Sequence, residues 1–236
     1  MKSKANNSKF VSNEDYFAMS SALIKELKKR RMAESETVIP FMNGDFTGWD
    51  LYLAGTCEYS MRIVDGLISM LQSRNFVCAA QLLRAQIGVC MRSLAILACD
   101  DIDSFLETFF SNGRINQLKD RDGYKLTDSR LKNLLNQFDP TVANSYDRTS
   151  GLIHYSAEVI NAMATSTAGA EFELNFGMEP NEELNSMLLD CGELCLRYLD
   201  LHLQLLDKII EADEWYENRR KIDSPMIKVS TDAAST

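Results

Sequence analysis

Residues 75–99, NFVCAAQLLRAQIGVCMRSLAILAC, constrain the fold most, because they are apolar on nearly every side of a helix. Such a helix is stable only when other elements surround it, so we expect it at the centre of a bundle. The chain has only 11 glycines and 4 prolines among its 236 residues, which favours long helices over a turn-rich β fold. The sequence therefore predicts an all-α protein in which this helix is the most buried element.

Helical periodicity predicts six or seven helices in a single domain over residues 12–223. Polar tails, expected to be frayed, occupy residues 1–11 and 224–236. Helix N-caps are predicted at Ser12, Thr47 and Thr127. The alternating segment EFELNF at 171–176 predicts a short strand, and the Asp-Gly pair at 122–123 predicts a small hairpin or an ordered loop. The expected architecture is thus a single-domain helical bundle with a minor β element.

The formal net charge of −9 disfavours non-specific binding to nucleic acid by the chain as a whole. Two basic stretches, residues 24–31 and 111–132, remain as places that would attract an anion. No apolar run is long enough to cross a membrane, and the first residues lack the apolar core of a signal peptide. We therefore expect a cytoplasmic protein without a membrane partner.

The six cysteines lie in apolar or helical surroundings and form no C-x-x-C pair. We interpret them as buried thiols in a reducing compartment. Cys191 and Cys195 share a helix face, but no further cysteine or histidine has the spacing to complete a zinc shell. Neither a metal nor a cofactor is expected.

Two arginines interrupt the apolar helix at positions 84 and 92. They are eight residues apart and so lie on similar faces. Because an unpaired buried arginine is costly, Arg84 and Arg92 either extend to the edge of the bundle or line a polar cleft. We expect at least one of them to bond an acidic side chain or backbone carbonyls near residues 146–156.

The chain has two histidines, and the stretch YDRTSGLIHYS at 146–156 holds one of them. We interpret His202, within LDLHLQLL, as an ordinary helix residue. His154 is the better candidate for chemistry, although Ser150 and His154 also fit a polar stripe that is typical of a solvated helix face. Arg148 precedes His154 by six positions, so a straight helix separates them. A bend at Gly151 or a second subunit would be needed to bring them together.

Three stretches together carry a resemblance: RAQIGVCMR at 84–92, INQLKDRDGYKLTD at 115–128 and YDRTSGLIHYS at 146–156. This pattern resembles a family of bacterial all-helical proteins to which we assign no activity. It implies that the loop and the later helix share a cleft. The candidate binding residues of that cleft are Arg84, Arg92, Lys119, Asp120, Asp128, Tyr146 and Ser150.

The segment RTSGLIH is also similar to the R-x(4–6)-H motif of HEPN domains, which are all-helical, usually dimeric and often encoded in toxin–antitoxin or phage-defence systems. This resemblance implies that His154 acts as a general acid or base on a ribose 2′-hydroxyl, while Arg148 holds the scissile phosphate without a metal. Thr149 departs from the family, whose active members commonly have Asn, Asp or His after the arginine.

Three functions stay open. The first is a cleft that binds RNA or a small anionic ligand, with or without cleavage. The second is a helical interaction module whose polar residues only order its loops. The third is an enzyme acting on a small substrate. We expect a homodimeric interaction or ligand-binding protein of a bacterial stress or defence system, with a metal-independent endoribonuclease as the alternative.

Overall fold

A computed structural model of the chain describes residues 10–41, 47–153, 164–166, 172–174 and 181–216. The helices within these ranges confirm the predicted all-α bundle. Short 3-10 helices occupy Ile39–Phe41 and Ile115–Gln117. The described ranges contain seven α-helices: α1 (Asn13–Val38), α2 (Gly48–Gln72), α3 (Phe76–Ala98), α4 (Ile102–Phe110), α5 (Asp128–Phe138), α6 (Val142–Ile153) and α7 (Glu182–Tyr216).

Side-chain caps fix where three of these helices begin, as predicted. Ser12 accepts a hydrogen bond from the backbone N–H of Asp15 at the start of α1. Thr47 and Asp50 form a reciprocal capping box at α2. Thr127 caps α5. Each cap satisfies backbone donors that the first helical turn leaves without a partner.

Helix α3 lies at the centre and packs against α2, α5, α6 and α7. Gln81 is its one exposed residue, and its apolar side chains are buried or half-buried. The predicted central position of residues 75–99 is therefore confirmed. The physical reason is the one anticipated, since a helix without a polar face has to be covered on every side.

Helices α1 and α7 approach closely across the bundle. A Cβ atom added at Gly192 of α7 would lie 2.4 Å from Leu23 Cδ2 of α1, so only glycine allows this spacing without a shift. One continuous cluster of buried apolar side chains draws on all seven described helices. Five of the six cysteines are buried, as predicted, and Cys78 is half-buried.

Two short strands, Ala164–Ser166 and Phe172–Leu174, pair antiparallel. The residues around them lie outside the described ranges, so the minor β element stays a prediction. Helical periodicity also predicts one helix from Pro140 to about residue 165. The structure describes α6 from Val142 to Ile153 and a strand at Ala164–Ser166, so the predicted end of this helix was wrong, and residues 154–163 lie outside the described ranges. Val11, which we placed in the frayed tail, is held to α7 through the Ser186 hydroxyl.

Candidate functional site

Both arginines of α3 are engaged by later segments of the chain. The Arg84 guanidinium lies 3.6 Å from the centre of the Tyr146 ring, and its Nε donates to Ser150 Oγ at 3.3 Å. Arg92 Nη2 donates to Asp128 Oδ1 at 3.1 Å. A planar guanidinium suits both contacts, since it stacks on aromatic rings and bonds carboxylates. Arg92 thus bonds an acidic side chain that also contacts Tyr146, as expected, whereas Arg84 bonds a hydroxyl and a ring in place of a carboxylate or a carbonyl.

Tyr146 is the centre of this polar cluster and joins three helices. Its hydroxyl donates to Asp128 Oδ2 at 3.4 Å, and Lys132 Nζ lies 5.3 Å from its ring centre. Lys132 also donates to Asp147 at 2.8 Å. The cluster thus connects α3, α5 and α6. Its members bond one another, as expected if these polar residues only order the loops of a helical interaction module.

The loop before α5 is organised by the buried carboxylate of Asp120. Asp120 Oδ1 accepts the backbone N–H groups of Asp122 at 3.1 Å and of Tyr124 at 2.8 Å. Asp120 Oδ2 accepts from Arg130 Nε at 2.7 Å. Gly123 has φ +85°, a left-handed conformation that favours glycine at the tip of the turn. The predicted Asp-Gly turn is present, and the segment is an ordered loop.

Burial alone would raise the pKa of the Asp120 carboxyl. Hydrogen bonds from Arg130 and from the loop backbone outweigh that effect, so this pKa lies below its ordinary value. Lys119, next to it, is exposed, and its side chain bonds no residue that the structure describes. Of the predicted binding residues in this loop, Asp120 is thus occupied internally and Lys119 is available.

A groove of about 440 Å³ lies between α3, α6 and α7. Its charged rim is formed by Arg148 from α6 and by three residues of α7, namely Asp190, Glu193 and Arg197. A cavity of this size accommodates a small organic molecule. The apolar side chains lining it are Phe76, Ala80, Leu83, Met187, Cys191 and Leu194.

Arg148 is exposed at this groove and makes no hydrogen bond or ion pair with any described residue. Thr149 is turned inward, with 6% of its surface exposed, and its hydroxyl donates to the Ser145 carbonyl at 2.6 Å. His154, the other half of the predicted catalytic pair, lies outside the described residues. The structure therefore places Arg148 at a groove but does not describe its relation to His154.

We did not predict the α7 residues of the groove. Asp190, Glu193 and Arg197 follow the spacing i, i+3, i+7, so a charged stripe in the otherwise apolar segment MLLDCGELCLRYL was a readable signal. Arg197 bonds Asp139 with two nitrogens, one of them at 2.9 Å. Burial would raise the pKa of Asp139, but the bonds from Arg197 and Thr141 lower it below its ordinary value.

A second polar cluster is buried in the core and centres on His202. Its Nδ1 lies 2.6 Å from Glu34 Oε1, and its Nε2 lies 3.0 Å from Ser93 Oγ. Ser60 donates to the same Glu34 oxygen at 2.8 Å, and Gln86 Nε2 donates to the Ser60 hydroxyl at 2.9 Å. His202 lies within helix α7, as interpreted, but it also links α7 to α1 and α3, a structural role that we did not predict.

The order Ser93, His202, Glu34 matches that of a serine–histidine–acid triad. All three side chains have 0% of their surface exposed, however, and so do Ser60 and Gln86. A nucleophile has to meet its substrate, and this hydroxyl lies in the packed core. The arrangement is therefore structural. The sequence signal was the interruption of apolar α3 by Gln86 and Ser93.

No protein-family model, curated protein or solved structure matches this chain. The resemblances drawn from its motifs, and the expected homodimer, stay predictions. Within the described ranges, no group of histidine, cysteine, aspartate or glutamate side chains has a geometry that could hold a metal ion. None of the described helices is long and apolar enough to cross a membrane.

Proposed function

We propose that the protein is a helical ligand-binding protein whose working site is the groove between α3, α6 and α7. The ligand is a small amphipathic molecule with a single anionic group. That group bonds Arg148, and the apolar part covers the floor formed by side chains such as Leu83 and Met187. A mostly apolar cavity with a few polar groups is typical of small-molecule sites.

The observation that carries this proposal is that the Arg148 guanidinium makes no hydrogen bond or ion pair with any residue that the structure describes. Arg84 and Arg92, the other two arginines expected at the cleft, are occupied by Tyr146 and Asp128. Arg148 has no such partner among the described residues and lies at the rim of an apolar groove. An arginine in this position provides a charge-assisted bond to a carboxylate or phosphate.

The acidic residues of the rim limit the charge of the ligand. Asp190 and Glu193 are exposed at the groove, and Arg197 is already paired with Asp139. A second anionic group on the ligand would meet these carboxylates and be repelled. The rim therefore favours a monoanion over the polyanionic backbone of RNA.

The position after the arginine also favours binding over cleavage. Active members of the HEPN domains that the motif resembles commonly have Asn, Asp or His at this position. Thr149 is buried and its hydroxyl bonds the backbone of its own helix. Endoribonuclease activity through Arg148 and His154 stays the alternative, and it is distinguished by testing RNA cleavage with the His154→Ala variant.

Decanoate is a suitable probe, since it carries one carboxylate on an apolar chain. We expect calorimetric titration to show binding to the wild type, and Arg148→Gln to weaken it about tenfold, as expected when one charge-assisted bond is lost. Arg62→Gln, which changes an exposed arginine of α2, is the matched control and should bind as the wild type does. Equal binding of decyltrimethylammonium, or unchanged decanoate binding by Arg148→Gln, would contradict the proposal.

A further inference from the structure

A second cavity, of about 530 Å³, lies between α1 and the end of α2, and no residue lining it is acidic. Lys25 and Lys28 line it, together with the aromatic residues Tyr16 and Phe17 and the hydroxyl residue Ser21. In a chain of net charge −9, a cationic groove without a carboxylate is a distinct local environment. Both lysines belong to the basic stretch of residues 24–31, which the proposed function does not use.

The arginines and the lysines of this basic stretch differ in whether they have acidic partners. Arg30 pairs with Asp200, and Arg31 with Asp65, so the arginines are neutralised by α7 and α2. The lysines are different, because neither Lys25 nor Lys28 bonds any described residue. They are three positions apart and therefore lie on one face of α1. Two like charges held side by side repel each other, and an anion bound between them removes that repulsion.

The floor of this cavity is aromatic. Phe17 has 58% of its surface exposed, so its ring is accessible to a ligand. The Arg74 guanidinium lies 5.8 Å from the centre of the same ring, but it does not line the cavity and donates to Asn13 and Asn185. Cationic groups next to an exposed aromatic ring bind phosphates and stack a planar base at the same time.

We propose that this cavity binds a nucleoside polyphosphate. The phosphates bond Lys25 and Lys28, with the Ser21 hydroxyl as a further donor, and the base stacks on Phe17. The volume suits a single nucleotide. The acidic remainder of the chain opposes a long polyanion, so the ligand is a mononucleotide and not a nucleic acid.

The test is titration with ATP, inorganic triphosphate, adenosine and a short oligouridylate. We expect ATP to bind most tightly, triphosphate more weakly, and adenosine weakest. Lys25→Gln and Lys28→Gln should each weaken ATP binding about tenfold, and Phe17→Leu should reduce the preference for ATP over triphosphate. Lys29→Gln is the matched control, because Lys29 is an exposed neighbour on α1 that does not line the cavity. Circular dichroism checks that each variant is folded.

Three outcomes would overturn the proposal. The first is absence of ATP binding to the wild type. The second is an equal loss of binding in Lys29→Gln, which would indicate a general charge effect. The third is tighter binding of the oligouridylate than of ATP, which would indicate a nucleic-acid surface. The groove between α3, α6 and α7 shares no lining residue with this cavity. Absence of ATP binding would therefore not contradict the proposed binding of a monoanion at that groove, and absence of decanoate binding would not contradict the nucleotide proposal.

Discussion

At the scale of single residues, Tyr146 is the side chain on which most contacts of the polar cluster depend. Its ring makes cation–π contacts with Arg84 and Lys132, whereas its hydroxyl makes only a long hydrogen bond to Asp128. We expect Tyr146→Ala to lower the free energy of unfolding by about 2 kcal/mol, because the cation–π contacts and the packing are lost. Tyr146→Phe keeps the ring and should change it by less than about 0.5 kcal/mol.

Urea unfolding monitored by circular dichroism measures both variants. The phenylalanine variant is the control, since the two substitutions differ in whether the ring remains. If Tyr146→Phe were as destabilising as Tyr146→Ala, the hydroxyl and not the ring would be the important group.

The partners of individual polar side chains could be predicted from the sequence only in part. The cost of burying an arginine was enough to predict partners for Arg84 and Arg92. The same reasoning did not find the bond between Glu34 and His202, which joins residues 168 positions apart. Glu34 follows the basic stretch 24–31 in the polar segment ESET, a pattern that is typical of an exposed helix face. Its buried partners, His202 and Ser60, come from the packing of α1 on α7 and α2.

At the scale of elements, the buried cluster around His202 fixes how four helices align. Glu34 comes from α1, Ser60 from α2, Ser93 from α3 and His202 from α7. Glu34 Oε2 is buried and has no hydrogen-bond partner among the residues that the structure describes, so burying this oxygen costs free energy that the other bonds of the cluster offset. Buried polar groups of this kind specify register more than they add stability.

We therefore expect Glu34→Ala and His202→Ala each to lower the free energy of unfolding by about 3–5 kcal/mol, because each leaves the other group buried without its partner. The joint change Glu34→Leu with His202→Leu should cost clearly less than the sum of the two single leucine variants. A double-mutant cycle by urea unfolding measures this coupling. Glu58→Ala, on the exposed face of α2, is the control with little effect. Additive losses would mean that the two groups act independently.

Elements themselves were predictable where one physical signal dominated. We predicted helix α3 from its apolar residues on nearly every side, and the starts of α1 and α2 from the caps Ser12 and Thr47. The structure confirms these positions. The groove was not predicted, because it depends on how α6 lies against α7, and no local pattern encodes that angle. Arg148 was identified as important from its motif, but its neighbours Asp190 and Glu193 belong to a helix far along the chain.

At the scale of the whole molecule, acid should destabilise the protein through two carboxylates that bind their arginines. The pKa values of Asp120 and Asp139 both lie below their ordinary range in the folded protein. An aspartate whose pKa is lower in the folded than in the unfolded chain stabilises the folded protein. This stabilisation is fully present above the pKa of the unfolded chain, roughly 3.9, and is lost as the pH falls through the pKa of the folded protein. The loss is therefore expected below about pH 4.

Removing either carboxylate should reproduce this loss at neutral pH. We expect Asp120→Asn and Asp139→Asn each to lower the free energy of unfolding at pH 7 by about 1–3 kcal/mol, and the difference from wild type to shrink as the pH approaches 2. The overall charge is negative at pH 7, passes through zero near pH 4.8 and is positive below it. This change acts alike on wild type and variants, so it cancels in that difference. Asp207→Asn is the control, because Asp207 is exposed on α7 and bonds no described residue. Urea unfolding across this pH range measures the effect, and a difference that stayed constant with pH would show that neither carboxylate carries the acid sensitivity.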